Sequence, residues 1–173
     1  MEELKNQPCP AYGQKKTKLR EEEIDTPYFG KTAVFSMSCE NCKFSKYDIE
    51  SIEQKDPIKV TSEINSEKDL RARVIRSSYG LVKIPQLKMS LEPGENVEGF
   101  ITNIEGLLKK FEDVLIEQRD NTDEDDVRKT AKNLLKKLWK VKLGELPLKI
   151  IIEDKTGNSA IISDKTVVEK IKK

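Results

Sequence analysis

The feature that most constrains this chain is the placement of its three cysteines in a sequence that contains no histidine. Cys39 and Cys42 form a Cys-Glu-Asn-Cys turn at the end of an apolar run, and Cys9 begins an earlier Cys-Pro-Ala-Tyr-Gly turn. A two-residue spacer lets both sulfurs of such a turn point to one place, and two of these turns, called knuckles, surround tetrahedral zinc in a zinc ribbon. The pattern therefore predicts a ribbon of short strands in which Cys9, Cys39 and Cys42 bind zinc.

The first knuckle lacks its second cysteine. Tyr12 stands where that cysteine would be, although Gly13 still follows it as the turn requires. A phenol has a pKa of about 10, and its ring holds the oxygen far from the backbone, so we expect tyrosine to be a poor ligand. Water or a nearby carboxylate would then fill the fourth position.

Two other interpretations of the cysteines stay open. Cys39 and Cys42 could form a redox pair, but such a pair lies between a strand and a helix, whereas residues 43–47 have the character of a strand. An open zinc position would suit an enzyme, but catalysis also needs a base and a supporting pocket. The lack of histidine removes the commonest general base and the usual catalytic triads, so we expect a protein that is not an enzyme.

Composition bounds the location and the partners. The amino terminus, MEELKNQPCP, has neither the basic start nor the apolar run of a secretory signal, and no stretch is long enough for a membrane span. We therefore expect a cytoplasmic protein, in which thiols act as ligands or stay free, and no membrane partner. A formal net charge of +1 gives no general attraction for nucleic acid.

Strands dominate the predicted secondary structure. Alternating apolar and polar residues predict short strands on both sides of the second knuckle and again from residue 58 to residue 91, where glycine and proline separate them. Residues 145–163 read as two strands around a turn, and residues 164–173 as a short terminal helix. The chain is thus predicted to be mainly β.

Two helices interrupt this pattern. Thr102 and Glu105 have the spacing of a capping box, which predicts a helix that ends near Arg119. The acidic segment DNTDEDD favours the start of a second helix, which Gly144 is placed to end. Since the connecting segment is short and polar, we expect the helices to fold back as a hairpin.

Further candidate sites each have a simpler explanation. The turn at residues 154–159 could be a recognition loop, but glycine and asparagine are also what a tight turn requires. Trp139 either anchors a partner or caps the core. The second helix carries basic residues that could face phosphates, although such a face is usually solvated; they are Arg128, Lys129, Lys132, Lys136, Lys137 and Lys140. Because of these basic residues, a nucleic-acid-binding zinc ribbon is the alternative function.

Four segments, in order, resemble the ZPR-type zinc-finger family. They are TPYFGKTAVFSMSCENC, SEKDLRARVIRSSYGLVKIPQLKMSLEPG, FITNIEGLL and EDKTGNSAI. The chain is similar to the archaeal versions, which have one such module where eukaryotic relatives have two. It departs from the family pattern at Tyr12 and Lys43, so its first knuckle is degenerate.

The resemblance implies a fold and a function. The fold is a zinc ribbon, here residues 1–54, followed by a double-stranded β-helix, a jelly-roll-like domain at 55–173, with the helical hairpin inserted at about 102–143. The function is that of a zinc-binding, protein-binding module that acts as a chaperone-like partner of translation elongation factor one-alpha.

Overall fold

A computed structural model describes residues 2–26, 30–52, 55–94 and 97–171. Pro27, Tyr28 and Phe29, which belong to the first segment that resembles the family, lie outside the described residues. The amino-terminal part is a four-stranded antiparallel sheet in the order β1-β2-β3-β4. Its strands are β1 (Glu2–Pro8), β2 (Lys15–Thr26), β3 (Gly30–Cys39) and β4 (Ser45–Ser51).

Strand direction brings the two knuckles together. In an antiparallel meander, the connection from β1 to β2 and that from β3 to β4 lie at the same end of the sheet. Cys9 follows β1 directly, and Cys39 is the last residue of β3. The strand pattern that the sequence predicts therefore carries all three cysteines to one end of the ribbon.

The rest of the chain forms two further sheets. One has five strands in the order β12-β5-β10-β7-β8, and the other has three in the order β11-β6-β9. The strands are β5 (Ile58–Ile64), β6 (Arg73–Arg76), β7 (Gly80–Ile84), β8 (Met89–Leu91), β9 (Phe100–Asn103), β10 (Leu148–Asp154), β11 (Ala160–Ile162) and β12 (Thr166–Lys170).

The core lies under alternate residues of these strands. In β10 every second residue is buried, from Leu148 through Ile150 and Ile152 to Asp154, because one face of the strand points inward and the other outward. These side chains join buried residues of the two sheets, of which Val60, Val74, Val82, Ile84 and Ile161 are examples, in one cluster. Burial of this apolar surface is the main term that stabilises the domain.

A helical hairpin is inserted between β9 and β10. Its helices are α1 (Ile104–Asn121) and α2 (Asp125–Lys142). Apolar residues at helical spacing in α1 are buried in the same core, and Lys142 bonds Glu112 across the hairpin at 2.8 Å. Gly144, at φ +72, follows α2 as predicted. The prediction of a mainly β chain with an inserted helical hairpin is confirmed, and none of the described helices is long and apolar enough to cross a membrane.

Two local predictions need correction. The cap of α1 is Asn103, whose side-chain oxygen accepts from Gly106 N at 2.7 Å, whereas Thr102 lies in β9. Residues 166–170 form strand β12 rather than a helix, because their pairing with β5 supplies backbone hydrogen bonds along an edge. Residues 145–163 do contain two strands around a turn as predicted, β10 and β11, which belong to different sheets.

Candidate metal centre and neighbouring surfaces

The first knuckle is a tight turn at residues 9–14. Gly13 N donates to Cys9 O at 2.7 Å, and Cys9 N donates to Gln14 O at 2.9 Å. Gly13 has φ +76, a left-handed conformation that costs a side-chain-bearing residue about 1–2 kcal/mol. The turn geometry of a cysteine knuckle is therefore kept although Tyr12 replaces its second cysteine.

The second knuckle has the same form. Cys39 N donates to Phe44 O at 2.8 Å, which closes the turn as Cys9 N does in the first knuckle. Lys43 occupies the place that Gly13 has in the first turn, and it adopts φ +56. A non-glycine residue held in this conformation indicates that the surrounding turn imposes it.

The two knuckles bring three sulfurs together. The Sγ atoms of Cys9, Cys39 and Cys42 all lie within 4.8 Å of one another, and those of Cys9 and Cys42 are 3.6 Å apart. Two thiolates that each lie about 2.3 Å from one tetrahedral zinc ion are about 3.8 Å apart, so the cluster has the right size and donor type for zinc. Cys9 and Cys39 are buried, and Cys42 is exposed at the tip. Metal binding by these residues stays a prediction.

Tyr12 lies against this cluster. Its Oη lies 3.3 Å from Cys39 Sγ. The hydrogen bond to Cys39, together with partial burial, raises the pKa of Tyr12 to about 12, so the phenol keeps its proton and donates. Hydrogen bonds from the backbone of Cys42 and from Tyr12 lower the pKa of Cys39 to about 6. The arrangement favours a thiolate at Cys39, which is the form that binds metal.

Thr17 is a neighbour that sequence reasoning missed. It lies directly opposite Cys39 in the β2–β3 pairing, so the two Cβ atoms are about 5 Å apart on one face of the sheet. Its Oγ1 is buried and has no hydrogen-bond partner within the described part of the chain. Such a hydroxyl is unusual. The sequence places Thr17 in a strand but does not give the register that sets it beside Cys39.

An apolar groove of about 380 Å³ crosses one face of the ribbon. Its floor is formed by residues that face each other across the strands, since Leu4 pairs with Leu19 and Leu19 with Met37. Phe35 extends the same face, and Leu4 is 60% exposed. Charged residues of both signs line the rim; they are Glu2, Arg20, Glu21, Lys46 and Asp48.

The turn at residues 154–159 is built around a buried carboxylate. Asp154 Oδ2 accepts from Ser77 Oγ at 2.6 Å and from Ser159 Oγ at 2.5 Å, and Oδ1 accepts from N and Oγ1 of Thr156, each at 2.7 Å. Burial alone raises the pKa of Asp154, but these hydrogen bonds outweigh burial and hold the pKa below its usual value. These contacts hold the turn after β10 against Ser77, which follows β6. They agree with the simpler explanation, in which the residues of this segment serve the turn itself.

Trp139 and the basic residues of α2 lie on the surface. Trp139 is 62% exposed and does not cap the core. Lys132, Lys136 and Lys140 are exposed on the same helix. The three lysines are spaced four residues apart and Trp139 is three residues from Lys136, which places all four along one side of α2.

Comparisons with known proteins support the fold. Residues 68–172 match the ZPR1 jelly-roll domain family. A ZPR1-like protein of Methanocaldococcus jannaschii is 35% identical over 165 residues, which cover 95% of this chain and 83% of that protein. One of Pyrococcus horikoshii is 34% identical over 177 residues, which cover 100% of this chain and 79% of that protein.

A more distant relative carries a functional name. The zinc finger chaperone zpr1 of Schizosaccharomyces pombe is 28% identical over 139 residues. The match covers 78% of this chain but only 30% of the fission yeast protein. The chain therefore corresponds to a part of that longer relative.

Proposed function

The chain belongs to the ZPR1 family, and from this membership we propose that it is a zinc-binding protein-interaction module that acts as a chaperone-like partner of translation elongation factor one-alpha. The single observation that carries the proposal is the family match over most of the chain. The name of the fission yeast relative, a zinc finger chaperone, supports the direction of the proposal. The elongation factor enters through the resemblance of the four sequence segments.

Zinc would be held by Cys9, Cys39 and Cys42. The spacing of their sulfurs and the lowered pKa of Cys39 support this part of the proposal. When bound, the ion supplies a cross-link between two loops that are distant in sequence. The residues themselves shape the two turns, because Gly13 and Lys43 adopt left-handed conformations at equivalent places and a backbone hydrogen bond closes each turn.

The groove on the ribbon is the surface that we assign to protein recognition. Exposed apolar side chains with a charged rim are typical of a surface that binds another protein. A partly folded client exposes apolar side chains of its own, which such a groove can cover. The proposal needs no catalytic group, and the relatives are named as zinc finger proteins and chaperones. We place the action in the cytoplasm, where elongation factors work.

The test is binding and refolding of archaeal elongation factor one-alpha. The zinc-loaded chain should bind the factor during refolding from denaturant and should increase the yield of active factor. Leu4→Asp puts a charge into the groove and should reduce both effects at least tenfold. The matched control is Val167→Asp on β12, which is similarly exposed at 57% and should behave as the unaltered chain does. No binding and no change in yield with the unaltered chain would contradict the proposal.

Nucleic-acid binding is the second candidate, and one observation favours it. Trp139 is exposed beside lysines on α2, and an aromatic side chain among basic ones suits stacking on a base with phosphate contacts nearby. Binding through this face should weaken steeply with added salt, because counterions are released. Trp139→Ala should weaken nucleic-acid binding at any salt concentration, whereas Leu4→Asp should leave this binding unchanged. Undetectable binding to single-stranded RNA at low salt would remove this candidate.

A further inference from the structure

The cysteine cluster supplies three donors to a metal that prefers four. The chain contains no histidine and no cysteine beyond Cys9, Cys39 and Cys42. No aspartate or glutamate oxygen of the described residues joins the three sulfurs in the cluster. Glu40, which is next to Cys39 in sequence, is engaged by Lys18 in an ion pair. Tetrahedral zinc at this site therefore needs a fourth ligand that is not one of these side chains.

Tyr12 is the side chain nearest to the place of the missing cysteine. Its hydroxyl lies at hydrogen-bonding distance from a sulfur, with 3.3 Å between Oη and Cys39 Sγ. Thiolates that bind zinc commonly accept hydrogen bonds of this kind, and such bonds orient the ligand. The phenol is thus placed to act on the metal through Cys39.

The outer side of the cluster is open to solvent. Cys42 is exposed, and so are its neighbours Glu40, Asn41 and Gly13. A small molecule can approach the three sulfurs from this side without displacing a buried side chain.

We propose that this chain forms a three-thiolate metal centre whose fourth ligand is an external thiol, with water in its place when no thiol is present, and that Tyr12 is a positioning residue that donates to Cys39 rather than a ligand. A thiol is favoured over harder donors because a centre that already has three thiolates suits soft ligands. The external thiol can be a small molecule or a cysteine of a bound protein. The inference rests on the proposed zinc binding and makes it more specific.

Cobalt(II) replaces zinc in the test, because its visible spectrum reports the number of thiolate ligands. The unaltered chain should show a three-thiolate spectrum that shifts to a four-thiolate spectrum when 2-mercaptoethanol is added. The matched variant is Tyr12→Cys, which restores the fourth sulfur on the same turn. It should show the four-thiolate spectrum from the start and should not respond to added thiol.

Tyr12→Phe separates positioning from ligation. If the hydroxyl acts through Cys39, this variant should keep the three-thiolate spectrum and the response to thiol, with metal affinity lowered about tenfold. If Tyr12 binds the metal, cobalt addition to the unaltered chain should produce the near-ultraviolet signal of ionised tyrosine, and Tyr12→Phe should change the visible bands. Either of these two results would overturn the inference.

The outcomes also separate this inference from the proposed function. If the unaltered chain binds cobalt but does not respond to thiol, the external ligand is wrong while metal binding stands. If the unaltered chain binds no cobalt although circular dichroism shows that it is folded, both are wrong. A competition between a small thiol and a cysteine-containing peptide then distinguishes the two sources of the ligand.

Discussion

Replacement of Asp154 by asparagine should destabilise the domain severely. The carboxylate is fully buried and accepts four hydrogen bonds, two at each oxygen. Asparagine keeps one acceptor and puts an amide NH2 at the other position. If the NH2 group points toward Thr156, it meets a backbone N–H. If it points toward Ser77 and Ser159, it leaves their two hydroxyl protons without an acceptor. In either orientation two hydrogen bonds to a charged group are lost.

The magnitude follows from these contacts. A hydrogen bond to a charged group contributes about 1.5–3 kcal/mol, so two of them amount to roughly 3–6 kcal/mol before the amide regains part of this. Arg76 is also buried and interacts electrostatically with Asp154, but its guanidinium donates to backbone carbonyl oxygens, so the loss of the Asp154 charge adds only a smaller cost here. We expect the free energy of unfolding to fall by about 4 kcal/mol, out of a total of about 5–15 kcal/mol.

Urea denaturation followed by far-ultraviolet circular dichroism measures this loss. With a slope of about 2 kcal/mol per M, the midpoint should fall by about 2 M. Asp164→Asn, at an exposed position, is the control and should shift the midpoint by less than about 0.3 M. A midpoint for Asp154→Asn within about 0.5 M of the unaltered chain would show that the buried carboxylate is not what holds this turn.

Three further predictions concern backbone, charge and the buried hydroxyl. Gly157→Ala should lower the free energy of unfolding by more than about 2 kcal/mol, because the added Cβ would collide with the backbone that precedes β5. Gly13→Ala, where the added Cβ meets open space, should lower it by about 1 kcal/mol. Equal urea midpoints for the two variants would contradict this. A hydrogen bond from Lys165 lowers the pKa of Asp69 to about 2. The ionised carboxylate therefore stabilises the fold above the ordinary pKa of 3.8, and this contribution is lost as the pH falls toward 2. In acid titrations of unfolding, Asp69→Asn should lose less stability over that interval than the unaltered chain does. Thr17→Val should raise the free energy of unfolding of the metal-free chain by about 1 kcal/mol, and a lower melting temperature would refute the idea that this hydroxyl lacks a partner.

The sequence predicts the convergence of the cysteines for a sound physical reason. Each knuckle follows directly on a strand, and antiparallel strands return every second connection to the same end of the sheet. The period of the apolar residues likewise predicts both helices, and most residues of these stripes are buried or partly buried, although Val114 is 49% exposed. Both predictions depend on local spacing, which a single sequence displays.

Contacts that depend on register or on rotamers could not be predicted. The pairing of Thr17 with Cys39 follows from the alignment of two long strands, and the reach of Tyr12 follows from one side-chain conformation across the knuckle. Residues 166–170 were mistaken for a helix because a short mixed segment has no decisive period, and its pairing partner β5 is distant in the chain. Tertiary pairing decided what local propensity left open.

The first strand has a consequence for the behaviour of the protein in solution. Among the described strands β1 pairs with β2 only, its register slips between Leu4 and Pro8, and nearly all its residues are exposed. Its hydrogen bonds to β2, the ion pair between Glu3 and Arg20 and the knuckle at Cys9 hold it in place. If Cys9 binds zinc as proposed, removal of the metal would release it, and separation of β1 from β2 would then leave backbone groups of β2 unpaired and open to another chain. Loss of the metal would in this way create a sheet edge through which copies of the chain can associate.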